Sequence, residues 1–342
     1  MPASRLTVVL PNYNHGRLLP RALAALAAQE RPADEILLID DASTDDSLSV
    51  AAVWQARLPQ MRIIAQSLNA GVVATLRRGL AEATGDLVYL GAADDETRPE
   101  LFARAIAALE AHPRAALATA EVRLVAPDGR IFGLRPAILP SQEEAYFDPT
   151  AAADLLSRAD HWVVTVAAVW RRGPMLEAGG IDPELGALVD SLLARELSLR
   201  HGFVFLPGVL GIWHVNPAGV SRSTAADPRT TLDLVAKARA RIEARIGAPY
   251  PAWYPPVFER RNRFAVARLL VTEAPGGRPD PAVIAAMTGG GALELMAMRA
   301  ALRLPAALGR LAALGWLTMR MRPMSLPLLI RTWLDRRRRP RG

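Results

Sequence analysis

The chain has no cysteine among its 342 residues and a single lysine, Lys237. Without thiols there is no disulfide framework, no thiolate nucleophile and no zinc–thiolate site, so any chemistry rests on oxygen and nitrogen groups. No run of about 18 uncharged apolar residues occurs, because Arg299, Arg303, Arg310, Arg320 and Arg322 interrupt the apolar C-terminal region. A spanning helix is not expected, and with no apolar signal segment after Met1 the expected compartment is the cytoplasm. No G-x-G-x-x-G follows the first apolar run, which argues against a dinucleotide dehydrogenase. Pro11-Asn12-Tyr13-Asn14 stands there instead, without the glycines and basic residues that a sugar-nucleotide nucleotidyltransferase needs.

What is present is ordinary for a globular protein: 51% hydrophobic and 22% charged residues, in a length that suggests two or so domains. The net charge of +7 is unevenly distributed. Residues 299–342 hold eleven arginines and one acid, Asp335, a net of +10, so residues 1–298 sum to −3. Basicity confined to the tail, without interleaved aromatics or a recognisable module, does not make a nucleic-acid binder.

Apolar runs alternate with helical patterns in the first hundred residues. Leu6 to Leu10 predicts a strand, and apolar positions at Leu18, Leu19, Leu23 and Leu26 predict a helix. Ile36 to Ile39 ends in Asp40-Asp41-Ala42-Ser43-Thr44-Asp45, where Ser43 or Thr44 could cap a helix running through Trp54. A third strand at Met61 to Ala65, a helix at Ala70 to Ala83, and a fourth strand at Leu87 to Leu90 delivering Ala92-Ala93-Asp94-Asp95 complete the pattern. Such alternation means a parallel sheet with helices on its faces, and ligands bind beyond the carboxyl ends of its strands. Later, Pro127-Asp128-Gly129 marks a hairpin between Ala116 to Val125 and Arg130 to Leu134. Residues 162–170 read as a strand, Ala187 to His201 as a helix, and Phe203 to Leu206 with Val209 to Trp213 as two strands. From Arg229 the reading is helical, over about 229–247, 256–273 and 281 to the end, with breaks at Pro249-Tyr250-Pro251, Pro275-Gly276-Gly277 and Gly289-Gly290-Gly291.

The acids at strand ends are the sharpest chemical signal. Adjacent carboxylates repel unless a cation or a hydrogen-bonding ligand compensates. Mg²⁺ or Mn²⁺ takes carboxylate oxygens and keeps positions open for phosphates, so Asp94 and Asp95 suit a metal–diphosphate site. One such pair could simply be solvated or cap a helix; two pairs at one sheet edge favour a ligand.

Four ordered motifs resemble family 2 glycosyltransferases: Leu6 to Asn14, Glu35 to Asp45, Asn69-Ala70-Gly71, and Gly85 to Leu90 leading to Asp94-Asp95. The likeness returns at Gly179 to Leu185, at Asp190 and at Phe203 to Pro207, and leaves the C-terminal helices unaccounted for. The resemblance implies an α/β fold of GT-A type, a Rossmann-like, mostly parallel sheet with flanking helices and a C-terminal helical extension. It divides the chain into a nucleotide-sugar-binding βα part at 1–125, an acceptor-side α+β part at 126–225 and a basic helical region at 226–342. By the same likeness Pro11 and Tyr13 line the nucleobase pocket, Asp41 accepts a base N–H, commonly of uracil, and Asp94 and Asp95 meet ribose and the diphosphate-bound cation, Mn²⁺ or Mg²⁺. Asp190 is the candidate base for an inverting transfer from a nucleotide sugar to a hydroxyl acceptor, a surface or lipid-linked glycan of polysaccharide biosynthesis. A carboxylate at a helix N-terminus also has a purely structural reading, favoured by the macrodipole.

Ala92, Leu76, Val189 and Asn216 depart from the family's usual residues. Those departures motivate an alternative, a non-catalytic nucleotide-sugar-binding or scaffold protein. His214, two residues before Asn216, is either a metal ligand or an ordinary partly buried histidine. In the tail, Leu304, Leu308, Leu311, Leu314, Trp316, Leu317 and Met319 with Arg310, Arg320, Arg322 and Arg336 to Arg339 form a basic, apolar helical pattern. It suits an anionic membrane surface at the inner face of the cell, or packing on the protein body or on a second copy of the chain.

Overall fold

The computed structural model describes residues 3–159, 161–216, 219, 227–272 and 279–338. Chain order opens with β1 (Leu6–Asn12), α1 (Leu19–Ala27), β2 (Glu35–Asp40), α2 (Ser47–Gln55), β3 (Met61–Ala65) and α3 (Val72–Glu82). There follow β4 (Leu87–Leu90), a short β5 (Glu96–Thr97), α4 (Leu101–Ala111), the β6 (Leu117–Val125) and β7 (Ile131–Arg135) hairpin, β8 (Ala145–Phe147) and α5 (Pro149–Arg158). Next come β9 (Ala168–Arg171), α6 (Arg172–Glu177), α7 (Val189–His201) and β10 (Phe203–His214). The remaining elements are helical: α8 (Pro228–Glu243), α9 (Tyr254–Thr272), α10 (Pro281–Met287), α11 (Ala292–Ala301), α12 (Ala306–Met321) and α13 (Leu326–Arg338).

All ten strands join one sheet in the order β3-β2-β1-β4-β9-β6-β10-β5, with β7 beside β6 and β8 beside β10. β3, β2, β1 and β4 run parallel, which is the half that the βα alternation predicts. β9 is antiparallel to both β4 and β6 and makes the sheet mixed, while β6 and β10 are parallel to each other. Every residue of β1 is buried, as a strand covered on both faces requires. Helix α3 lies so close on β1 that a Cβ at Gly79 would come within 2.2 Å of Val9 Cγ1, so only glycine fits there. On α1 the apolar spacing buries Leu19, Leu23 and Leu26 as expected, with Ala22 beside them, while Leu18 is the half-buried N-cap.

The chain divides into two compact units. One comprises residues 1–156, 161–216 and 328–342; the other comprises 157–160 and 217–327. The second has its own core of Phe264, Val271, Ile284, Met298, Leu317 and Met321.

Several local expectations change. The stretch 162–170 passes through a 3-10 turn at Thr165–Ala167 before β9 begins. The two strands expected around Pro207-Gly208 are one, β10, with register shifts between Leu206 and Val209 and between Val209 and Gly211. A proline cannot donate to the ladder, so the strand bulges rather than ends. Helix α2 is not capped by Ser43 or Thr44: its N-cap is Asp46, without a side-chain cap bond, and the Ser43 hydroxyl donates to Asp40 at 2.6 Å. The long C-terminal helix reading resolves into α10 to α13. The break at Pro275-Gly276-Gly277, and Arg339, lie outside the described residues.

Candidate active site

β2, β1 and β4 are adjacent and parallel, so their carboxyl ends form one rim, with Asn12 in register with Asp40. The Asn12 amide donates to Asp40 Oδ1 at 2.8 Å and to Ser43 Oγ at 3.2 Å. Asp40 also accepts the Ser43 backbone N–H at 2.9 Å, so it is spent on shaping its own loop. Asp41 is equally buried. Its Oδ1 accepts Gln66 Nε2 at 2.6 Å and the Ala70 N–H at 2.8 Å, and its Oδ2 accepts the Gly71 N–H at 2.8 Å. This is the physical content of the Asn69-Ala70-Gly71 motif: two successive backbone donors aimed at a carboxylate, with Gly71 at φ +85°, a conformation that side chains resist. Three of a carboxylate's roughly four acceptor positions are filled, which leaves room for one more donor.

Two non-glycine residues sit in the left-handed region on this rim, Asn14 at φ 53° and Ala42 at φ 60°. The loops that carry them clamp each other: Asn14 Oδ1 accepts the Thr44 N–H at 2.7 Å, and the Asn14 N–H donates to Ser43 Oγ at 2.9 Å. Left-handed backbone at an alanine costs about 1–2 kcal/mol. Pro11 is buried within β1, and Tyr13 stands just beyond the strand at 44% exposure.

After β4, Asp95 is buried and its Oδ1 accepts the His214 backbone N–H at 2.9 Å. Burial first, and then the charge of Asp94, push its carboxyl well above the ordinary carboxylate range. Asp94 is half-buried, and among the described residues its carboxylate makes no hydrogen bond or ion pair; only its carbonyl is engaged, by Arg21 Nη2 at 2.6 Å. Arg21 Nε lies 3.3 Å from Glu96 Oε1, which is 2.5 Å from His214 Nε2. The His214 ring therefore faces Glu96. Among the described residues no three His, Asp or Glu side chains gather as a metal site. The pair Asp94 and Asp95 still fits a hard cation of the Mg²⁺ type, which needs only one or two carboxylates when phosphates and water fill its other positions.

Asp190 lies in the first turn of α7, half-buried. Its Oδ2 accepts Thr165 Oγ1 at 2.5 Å and its Oδ1 accepts the Ser191 N–H at 2.6 Å. Thr165 opens the 3-10 turn whose Val166 carbonyl accepts the Tyr89 hydroxyl at 3.1 Å. Burial, followed by the charge of Asp95, raises the Tyr89 phenol. A chain of contacts, half-buried at Asp190 and Thr165 and buried at Val166 and Tyr89, thus runs to the strand that delivers Asp94 and Asp95. All six residues expected at the site, Pro11, Tyr13, Asp41, Asp94, Asp95 and Asp190, belong to the first unit. Arg21, Gln66, Glu96 and Thr165 went unmarked in the sequence. Their partners emerge only from the fold: β2–β3 pairing sets Gln66 beside Asp41, β5–β10 pairing sets Glu96 beside His214, and the 3-10 turn presents Thr165 to Asp190.

Residues 7–150 match the model of the family described as glycosyl transferase family 2, so the resemblance carried by the motifs is borne out over that segment. The chain is 35% identical over 99 residues to the uncharacterized glycosyltransferase YibD of Escherichia coli, a match covering 29% of this chain and 28% of that protein. It is 32% identical over 113 residues to a PGL/p-HBAD biosynthesis glycosyltransferase of Mycobacterium bovis, covering 33% and 44%. These matches span less than half the length of the relatives concerned. Among solved structures, S. aureus TarS 1–349 in complex with UDP-GlcNAc aligns at TM-score 0.62 and 15% identity, over 91% of this chain and 88% of that one. The mannosyltransferase PcManGT of Pyrobaculum calidifontis, in complex with GDP-Man and Mn²⁺, aligns at TM-score 0.57 and 23% identity, over 97% and 86%. The fold is that of GT-A glycosyltransferases.

Proposed function

We propose that this chain, whose residues 7–150 carry the glycosyl transferase family 2 pattern, moves a sugar from a nucleoside-diphosphate sugar to a hydroxyl acceptor with inversion. The observation that carries the reading is the rim itself. Asp41 organises one loop beyond β2, while Asp94 presents a carboxylate unbonded among the described residues, beside the buried Asp95 beyond β4. UDP is the favoured nucleotide, on the likeness at Asp41 and the UDP-GlcNAc held by the TarS structure; the GDP-Man held by PcManGT makes GDP the competitor. A surface or lipid-linked glycan is the acceptor, in keeping with the PGL/p-HBAD biosynthesis relative.

In this reading Tyr13, exposed behind Pro11, offers an aromatic face to the base, and Asp41 offers its remaining acceptor position to a base N–H. A divalent cation held by Asp94 and Asp95 supplies charge neutralisation at the diphosphate. Asp190, oriented by Thr165, takes the proton of the acceptor hydroxyl as that oxygen attacks the anomeric carbon and the nucleoside diphosphate departs. One displacement from the opposite face inverts that carbon.

The test is a turnover assay over UDP- and GDP-sugars with and without Mn²⁺. Donor hydrolysis or transfer that requires the cation and vanishes in Asp94→Ala and Asp190→Ala supports the enzyme. Nucleotide binding with no turnover over a broad donor and acceptor panel supports instead the binding module that Ala92, Leu76, Val189 and Asn216 suggest.

A further inference from the structure

Helix α12 is apolar on both sides. Gly309, Ala313, Leu317 and Met321 are buried. On the other side Leu308, Leu311 and Met319 are 57%, 65% and 67% exposed, and Leu304, just before the helix, is 48% exposed. The spacing of 304, 308, 311 and 319 places them on one stripe. No exposed position from Ala306 to Met319 is charged. The neighbouring α11 is inverted in the same sense. Its acid, Glu294, is buried and paired with Arg320 and Thr288, while Leu293 and Met296 face outward at 70% and 65% exposure. Residues 281–327 contain five arginines and, as their only acid, this buried Glu294. Arg299, Arg303 and Arg322 are exposed around the apolar stripe.

We propose that this face of α11 and α12 is a docking surface for an anionic lipid bilayer. The helices lie in the interfacial plane with Leu308, Leu311 and Met319 in the acyl boundary and Arg299, Arg303 and Arg322 among headgroup phosphates. The charge pattern selects this occupant. A second copy meeting the first across a two-fold axis would set arginine against arginine, with no exposed acid on the face to pair them. At 16 residues α12 is too short to cross a bilayer, and no helix among the described residues is long and apolar enough to do so. The surface lies wholly in the second unit and the donor site in the first, so each idea can fail without the other.

The experiment is flotation of the full chain with vesicles of phosphatidylcholine alone and of phosphatidylcholine with phosphatidylglycerol, beside light scattering of the free protein. Wild type should float with the anionic vesicles and remain behind with the neutral ones. Leu308→Glu/Leu311→Glu, at positions that face solvent, should lower the bound fraction on the order of tenfold with an unchanged melting curve. Arg299→Gln/Arg303→Gln should weaken binding and flatten its salt dependence. Absence of wild-type binding to anionic vesicles, or equal binding by the leucine variant, overturns the proposal. So does a dimer that the leucine variant converts to monomer without any effect of lipid, which would assign the face to a second copy.

Discussion

At Asp95, burial and charge are in direct conflict. The carboxyl is 8% exposed beside another acid, and its folded-state pKa is raised by burial first and Asp94 second. For an acid shifted upward, the stabilising contribution is complete below the ordinary carboxylate pKa and is lost as pH rises toward the folded value. Asp95→Asn should therefore melt above wild type at neutral pH without divalent cation, and the gap should widen from about pH 4 upward. Mn²⁺ should narrow it by raising the wild type alone; melting curves that coincide across this pH range would speak against the conflict. Asp190→Asn keeps the shape of the side chain and removes the base, so kcat should fall by about 10²–10⁴ with little change in the donor KM. A donor KM that changes while kcat holds would make Asp190 a binding residue instead. At this scale the sequence discloses carboxylates because acids at strand ends are unusual. It does not disclose Thr165 or Glu96, whose partners lie 25 and 118 residues away.

Among the elements, the loop that closes over Asp41 rests on one backbone conformation. Gly71 adopts φ +85° and ψ 157°, a backbone region essentially reserved for glycine, so Gly71→Ala meets no clash in the open space around it but bears a backbone strain of about 1–3 kcal/mol. A melting temperature a few degrees lower should accompany weaker nucleotide binding, because the Ala70 and Gly71 donors to Asp41 shift together; unchanged nucleotide affinity would detach this loop from the site. The parallel half of the sheet is legible because each βα repeat is local in sequence. The antiparallel β9 is not, since its neighbours β4 and β6 are fixed by crossings over tens of residues and its four residues carry no period of their own. β10 misleads for a related reason: Pro207-Gly208 has the composition of a turn, while pairing with β6 holds the strand together across the bulge.

For the molecule as a whole, the C-terminal arginine run divides in its uses. Within the first unit Arg336 Nε donates to the buried Glu121 at 2.9 Å and its Nη2 donates to the Pro136 carbonyl at 2.7 Å, so this part of the run is a strap on the sheet. The Thr332 hydroxyl adds to it by accepting the Leu139 N–H at 3.0 Å. Arg336→Ala removes the 2.9 Å ion pair from the buried Glu121 and should destabilise the unit by about 1–3 kcal/mol, read as a lower denaturation midpoint. A loss below about 0.5 kcal/mol would show the strap to be dispensable. Sequence periodicity cannot see this role, because Arg336 and Glu121 are 215 residues apart. It likewise cannot say which side of α12 faces inward, since both sides are apolar.

The central claim is that the acids beyond β4 hold a cation and, through it, a diphosphate. Calorimetric titration of UDP and of GDP into wild type and Asp94→Asn, with and without Mn²⁺, tests it most directly. In wild type Mn²⁺ should tighten at least one nucleotide by tenfold or more, about 1.4 kcal/mol, and Asp94→Asn should erase that gain. Nucleotide binding of equal strength with and without Mn²⁺, and unaltered in Asp94→Asn, would contradict it.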